Sequence, residues 1–480
     1  MPEQLVVVGG GVGGLSAALA LARAGHTVTV VERDPLPATA DAEEAFVAER
    51  RGAPQVHQTH GFLARILVAL RERFPDVLEG LLSVGGMTMP TTSNLGEPQP
   101  GDEDLAVLIV RRTTFEWVLR QAVLQQTGVT FRTGVGALGP TARGDGHGGP
   151  PIVTGVRLDD GTSLAADAVI ASTGRRGAVP DWLAAIGVDV PETVRESGLM
   201  YLSRWYRLPA GFDLGLDPKL GGDLGFVKYL AVPGDGGTLS ITLAINPEDS
   251  DLRRALSDDD GFEEACRILP GPDLFFRDGP LEPVGGVRPM GGLLNRIRRF
   301  TDADGAPTVL GFHAIGDAHT CTNPLYGRGC SLAMVQALLL ADAFAAHPGD
   351  VAARAATYEA ASEREVEPWF EVSVQMDRAG ADPAGFGGIG SGDGPGKALA
   401  AVFVAAMTDP VLGRGFARFW NLLATPAEML GDADVMTRMA EVMADPDAWP
   451  VPERVGPKRS ELLAALAAHA TQTTQEASVA

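Results

Sequence analysis

Residues 5–14 read Leu-Val-Val-Val-Gly-Gly-Gly-Val-Gly-Gly, and few folds accept such a string. The apolar run Leu5 to Val8 predicts a buried strand, which enters Gly9-x-Gly11-x-x-Gly14 and then a small-residue helix, Leu15 to Ala24. A second strand, Thr27 to Val31, ends at Glu32 and Arg33. The three glycines act differently. Gly9 permits the tight turn, Gly11 lets backbone approach a pyrophosphate, and Gly14 lets helix and strand pack closely. The helix start, with Val12 and Gly13, offers unpaired N–H groups to an anion. Glu32 follows at about twenty residues, the spacing of a carboxylate that grips ribose hydroxyls. Strand, helix, strand and acid in this order predict a dinucleotide site.

Bulk properties narrow the partners. A chain of 480 residues exceeds one core, so joined domains are expected. The formal charge of −22 disfavours nucleic acid and anionic membrane, both of which need basic patches. The three cysteines, Cys266, Cys321 and Cys330, are too scattered for a disulfide framework or a metal cluster. No basic leader precedes the first apolar run, and Ala398 to Met407 is half the length of a membrane span. The expectation is a cytoplasmic protein without an integral membrane segment.

Along the chain, a polar stretch follows Glu32, and Gly61 to Phe74 has helical periodicity. A strand is predicted at Leu105 to Val110, a helix from Arg112 through Gln125, and strands at Val129 to Thr133, Val153 to Leu158 and Ala168 to Ala171. From about Arg195 the segments Tyr201 to Leu208, Phe226 to Val232 and Thr238 to Ile245 alternate and carry aromatics, which predicts an antiparallel sheet. Thr308 to Ile315 returns to the first domain, and Ser331 to Ala346 forms a long apolar helix. The fold class expected is α/β. Residues 1–190 and 296–350 form a Rossmann-like domain, with substrate-domain elements near 75–105. Residues 191–295 form an inserted β-sheet domain and 351–470 a helical extension. That extension is broken by glycines at 385–396, and 471–480 is a flexible tail.

A second motif, Ala314-Ile315-Gly316-Asp317-Ala318, ends a strand and continues as His319-Thr320-Cys321-Thr322-Asn323-Pro324-Leu325-Tyr326-Gly327-Arg328-Gly329 into the apolar helix. It is another helix start suited to anions, with an acid ahead of it and glycines for close approach to a flat ligand. This Gly-Asp…Pro…Gly-x-Gly string resembles that of the p-hydroxybenzoate-hydroxylase-like flavoproteins. The resemblance implies FAD, with Asp317 on the ribityl chain and Gly316, Pro324, Gly327 and Gly329 bordering cofactor. Val110-Arg111-Arg112-Thr113-Thr114-Phe115-Glu116 is similar to the family segment whose arginine contacts the phosphate or ribityl region, so Arg112 inherits that role. Val135 falls where the family makes backbone contacts to adenine. The element Pro54-Gln55-Val56-His57-Gln58-Thr59-His60 resembles the polyketide and polyether hydroxylase, epoxidase and squalene-epoxidase-like branch.

The resemblance implies a monooxygenase that hydroxylates or epoxidises an apolar polyketide, polyene or aromatic with dioxygen, through a flavin hydroperoxide. A reductase of the geranylgeranyl-reductase kind shares these motifs and is the alternative. The family's mid-chain Asp-Gly is here Ala171-Ser172-Thr173-Gly174-Arg175-Arg176, and no second glycine triplet exists. NADPH or NADH would therefore visit transiently, with Arg175 and Arg176 as candidate phosphate contacts, or a flavin reductase would supply electrons. The aromatic strands of the sheet are expected to roof a dry, apolar pocket. His60 and Tyr326 are the candidates beside substrate or flavin, and His319, which follows the Asp317 motif, is a further candidate to approach the cofactor. His57, three residues before His60, would share its face on a helical turn. No metal site is expected.

Overall fold

The structure, a computed structural model, describes residues 2–36, 38–144, 146, 148–212, 220–380 and 395–479. The elements that position the site run in chain order as β1 (Gln4–Val8), α1 (Val12–Arg23), β2 (Thr27–Glu32), α2 (Arg112–Leu124), β3 (Val129–Thr133) and β4 (Ala168–Ala171). They continue with β5 (Met200–Arg207), β6 (Val227–Gly234), β7 (Thr238–Ile245), β8 (Glu282–Met290), β9 (Phe312–Ala314), α3 (Gly329–Ala346) and α4 (Pro368–Gly380).

Strands β9, β4, β1, β2 and β3 form one parallel sheet in that order. Its inner strands β4 and β1 are apolar on both faces because both are covered. Leu5, Val7, Val28 and Ile170 face α1, α2 and α3, while Val6, Val8, Val31 and Val169 meet a second cluster that includes Val153, Val156 and Phe312. Helix α1 can sit on β1 only because two side chains are missing. Gly9 has φ +115°, and a Cβ there would lie 2.2 Å from Ser172 O. A Cβ on Gly14 would lie 1.8 Å from Gly9 O. No rotamer relieves either clash, since both obstacles are backbone.

The inserted domain is an antiparallel sheet in the order Gly221–Asp223, β6, β7, β5, β8. Strand β8 departs from expectation, because its sequence Glu-Pro-Val-Gly-Gly-Val-Arg-Pro-Met reads as loop. It is an edge strand, and its partner β5 shifts register between Ser203 and Trp205, which is where proline and glycine are tolerated. One further expectation is corrected. The apolar face of this sheet, with Leu202, Tyr206, Tyr229, Leu239, Ile241 and Leu243, packs against helices Ser250–Ser257 and Asp259–Ile268 and against the last helix through Leu462 and Leu466. Alternation then turns Ser203, Trp205, Ser240 and Thr242 to the other face, where they meet residues 57–59. The surface expected as an apolar roof is hydroxyl-rich.

The inserted sheet is fastened to the Rossmann domain by a buried ion pair. Asp235 Oδ1 accepts from Arg111 N at 2.7 Å, and its Oδ2 accepts from Arg111 Nε at 2.9 Å, Nη2 at 2.6 Å and Thr114 Oγ1 at 2.7 Å. In the helical extension, Val351–Glu365 packs on α3, and α4 packs on the strand Leu294–Arg298. Of the stretch expected as a flexible tail, residues 471–479 continue the helix Arg459–Val479, since alanine, glutamine and threonine do not break one. The glycine break expected at 385–396 lies largely outside the described residues. Helix α3, not Ala398 to Met407, is the longest apolar stretch; it is long and apolar enough to cross a membrane, and it is mostly buried inside the protein, against α1.

Replacing Gly14 by valine is expected to destabilise the fold by about 3 kcal/mol or more, measured as lost soluble yield or a lowered Tm. Gly291→Ala, whose Cβ would meet nothing within 4 Å, should leave Tm unchanged.

Candidate functional site

Both glycine motifs deliver a helix start without a cap. Gly11 at the start of α1 and Arg328 at the start of α3 provide no side-chain cap, and neither first turn carries an acid. Their leading N–H groups therefore remain available to an anion. The two starts lie side by side. A Cβ on Gly13 would sit 3.3 Å from Ala333 Cβ in α3, and one on Gly11 would meet only Glu116 Oε1, at 3.9 Å.

Arg112 stands between them. Its Nε donates to Glu116 Oε1 at 2.7 Å, and its Nη1 reaches Cys330 Sγ at 2.7 Å and His60 Nε2 at 3.3 Å. His60 Nδ1 lies 2.9 Å from Gln58 O, a group that only accepts. The ring is thus the Nδ1–H tautomer, assigned from its partners, with Nε2 accepting from Arg112. Burial and the neighbouring Arg112 charge push the His60 pKa down to about 4, so the ring is neutral at pH 7.

Glu32 is buried, its Oε2 accepting from Gly10 N at 2.7 Å and its Oε1 from Asp34 N at 2.9 Å. It shapes the glycine turn as well as marking the end of β2. Val135 donates its N–H to Glu32 O at 3.3 Å, so it borders the same strand end. Arg33 is exposed and donates to Gly52 O at 3.2 Å. Val12 is buried in α1. Gly316, with φ +59°, donates its N–H to Gln336 Oε1 at 2.7 Å. Pro324 opens a short turn closed by Gly327 in the left-handed region, and Gly329 begins α3, 4.0 Å (as a Cβ) from Asp317 Oδ1.

Asp317 is half-buried, and among the described residues its carboxylate makes no hydrogen bond or ion pair. Burial raises its pKa, and Arg175, Arg112 and Arg296 oppose that through space. Tyr326 is buried, donates to Asp377 Oδ1 at 2.7 Å and meets Trp420 edge-on. His57 is buried and lies near Phe46, and His319 pairs with Thr320 and Glu359. Arg175 donates to Gly292 O at 2.9 Å, while Arg176 is exposed. The three cysteines are free and buried, and no group of metal-ligating side chains occurs among the described residues.

Arg50, Glu116 and Thr113 join the predicted residues in the site. Arg50 binds Glu116 Oε2 at 2.9 Å, Asp34 Oδ2 at 3.2 Å and Glu32 Oε2 at 3.5 Å. A small cleft, open to solvent, runs beside this cluster, lined in part by Gly10, Arg50, Thr113, Glu116 and Arg120. Thr113 Oγ1 is buried there without a partner. Glu116 was legible as the i+4 partner of Arg112; Arg50, in a polar stretch without periodicity, carried no such signal. The uncapped N–H groups, the guanidinium groups of Arg50 and Arg112, and the unpartnered Asp317 carboxylate and Thr113 hydroxyl suit a ligand with phosphates and many hydroxyls. FAD fits that donor set.

Comparison with known proteins agrees with this geometry. Residues 4–48 match the DAO family, FAD dependent oxidoreductase. Protein Rv3254 of Mycobacterium tuberculosis is 27% identical over 88% of this chain and 90% of its own. PqsL of Pseudomonas aeruginosa, a probable FAD-dependent monooxygenase, superposes with TM-score 0.58 at 17% identity, over 79% of this chain and 96% of its own. OxyS anhydrotetracycline hydroxylase of Streptomyces rimosus superposes with TM-score 0.55 at 18% identity, over 89% and 77%. The fold, a Rossmann-like core with an inserted antiparallel sheet, is the one shared with these solved structures.

Proposed function

We propose that the chain is an FAD-dependent monooxygenase that hydroxylates or epoxidises a small organic molecule. The observation that carries this reading is the meeting of two uncapped helix starts around Arg112, with the Asp317 carboxylate left unpaired beside them. Bound FAD supplies the reaction with dioxygen and stores the electrons for it; NADPH or NADH, or a flavin reductase, is the proposed source of those electrons. The N–H groups of α1 with Arg50 would hold the pyrophosphate, Glu32 the ribose, and Asp317 with Arg112 the ribityl region.

The remaining work belongs to the chain. Neutral His60 accepts from Arg112 and keeps that guanidinium aimed without adding a second positive charge. The loop 323–327, on the proposed flavin side of the site, would help exclude water there. Ser203, Ser240 and Thr242 on the inserted sheet spend their hydroxyls on Gln58 and Thr59 and so fasten the sheet to residues 57–59. PqsL is known in complex with 2-aminobenzoylacetate, and OxyS is named for anhydrotetracycline; an oxygen-bearing aromatic or polyketide of that kind is the proposed substrate class.

Purified protein should be yellow, and its oxygen consumption in the presence of NADPH should rise with an oxygenated aromatic substrate. Turnover of that substrate under anaerobic conditions would instead identify a reductase.

Asp317→Asn is expected to weaken FAD binding about tenfold or more. It should leave the Tm of the FAD-free protein unchanged or raised, because the native carboxylate is partly buried without a partner.

The folded-state pKa of His60, about 4, lies below its ordinary value of 6.5, so the folded form resists protonation. Its stability contribution is full above pH 6.5 and is lost as pH falls toward 4. His60→Gln, which can keep both hydrogen bonds, should flatten the loss of stability over that window by up to about 3 kcal/mol in urea titrations.

A further inference from the structure

Helix α4 lies outside both the Rossmann core and the inserted sheet, yet it sends one carboxylate into the loop of the second glycine motif. Asp377 Oδ1 accepts from Tyr326 Oη and from Asn323 Nδ2, each at 2.7 Å, and Oδ2 accepts from Asn295 Nδ2 at 2.6 Å. Asn323 is in turn fully used. Its Oδ1 accepts from Leu325 N at 3.0 Å and Tyr201 Oη at 2.9 Å, and its N–H donates to Asn295 Oδ1 at 2.7 Å. Helix α4 grips the end of the loop as well, since Arg328 donates to Ser373 Oγ at 2.7 Å and reaches Met376 Sδ at 3.3 Å.

The chemistry of this node is specific. Three neutral donors converge on one anion, and among the described residues no cation forms an ion pair with it. An amide in its place would present one acceptor and an NH2 group to partners that all donate. Hydrogen bonds thus hold the charge in place and Arg328 offsets it only through space, while burial pushes the carboxyl above its ordinary range. In this partly buried setting the charge acts strongly on its surroundings.

We infer that Asp377 is a positioning residue: it fixes residues 323–327 in one conformation, and its charge holds down the midpoint potential of the flavin that this loop would border. The second half rests on the FAD reading above; the first does not.

The test uses the full chain with Asp377→Asn, Asp377→Glu and Tyr326→Phe. In the FAD-free protein, hydrogen exchange at Leu325 and Gly327 should be about tenfold faster than wild type in all three, with the amides of α3 unchanged. Loaded with FAD, Asp377→Asn should bind it about tenfold more weakly and show a raised midpoint potential. Tyr326→Phe and Asp377→Glu keep the charge and should keep the wild-type potential. Wild-type exchange in the loop of the Asp377 variants overturns the positioning role. An unshifted potential in Asp377→Asn, or an equal shift in Tyr326→Phe, overturns the electrostatic one. If Asp377→Asn does not fold, Asp377→Glu still decides the positioning role, and an unshifted potential in Asp377→Ser, which also removes the charge and should raise it, overturns the other. Wild-type protein that never binds FAD sinks the cofactor reading, and the electrostatic role with it, while the exchange result still judges the loop.

Discussion

Everything in the site depends on how closely α1 approaches the parallel sheet. The contact between Gly14 and the carbonyl of Gly9 leaves no room for a methyl group, and it sets where the start of α1 emerges. That position brings Gly13 against Ala333 and so brings α3 alongside. Arg112 and Glu116 can then span the two helix starts. A wider separation would leave the arginine with one neighbour instead of two. The backbone turn thus controls charged groups whose codons lie more than a hundred residues away.

Legibility followed periodicity. The parallel strands and α1, α2 and α3 are apolar at helical or continuous spacing, and their expected spans agree with the observed ones to within a few residues. The final parallel strand is shorter than its apolar run, because only Phe312–Ala314 finds a neighbour in β4. Strand β8 was illegible because an edge strand tolerates the glycine and proline that otherwise mark a loop. The polar roof was illegible for another reason. Alternation shows that β5 and β7 have two faces, but choosing which face meets the Rossmann domain needs the helices 250–268, whose partner is not written in either strand.

Site residues divided in the same way. Glycines and the acid of a motif announce themselves by order, and the structure brings Gly11, Gly13, Arg112, Asp317 and Gly329 into one neighbourhood. Residues that act by tertiary pairing do not. Arg50 gathers three carboxylates from separate segments, and Asp377 gathers donors from three positions up to 82 residues away. Tyr326, expected beside substrate, spends its hydroxyl on Asp377, and His60 spends its free nitrogen on Arg112. Both side chains hold other groups in place.

The last helix covers the inserted sheet through Leu462 and Leu466, although that sheet is complete in sequence by Met290. Helices 250–268 can cover most of that face as soon as the sheet is made, whereas the part that meets Leu462 and Leu466 waits for about 170 further residues. Closing of the inserted domain is thus tied to the far end of the chain, and the strip left open until then is where a nascent chain is most exposed to misassembly.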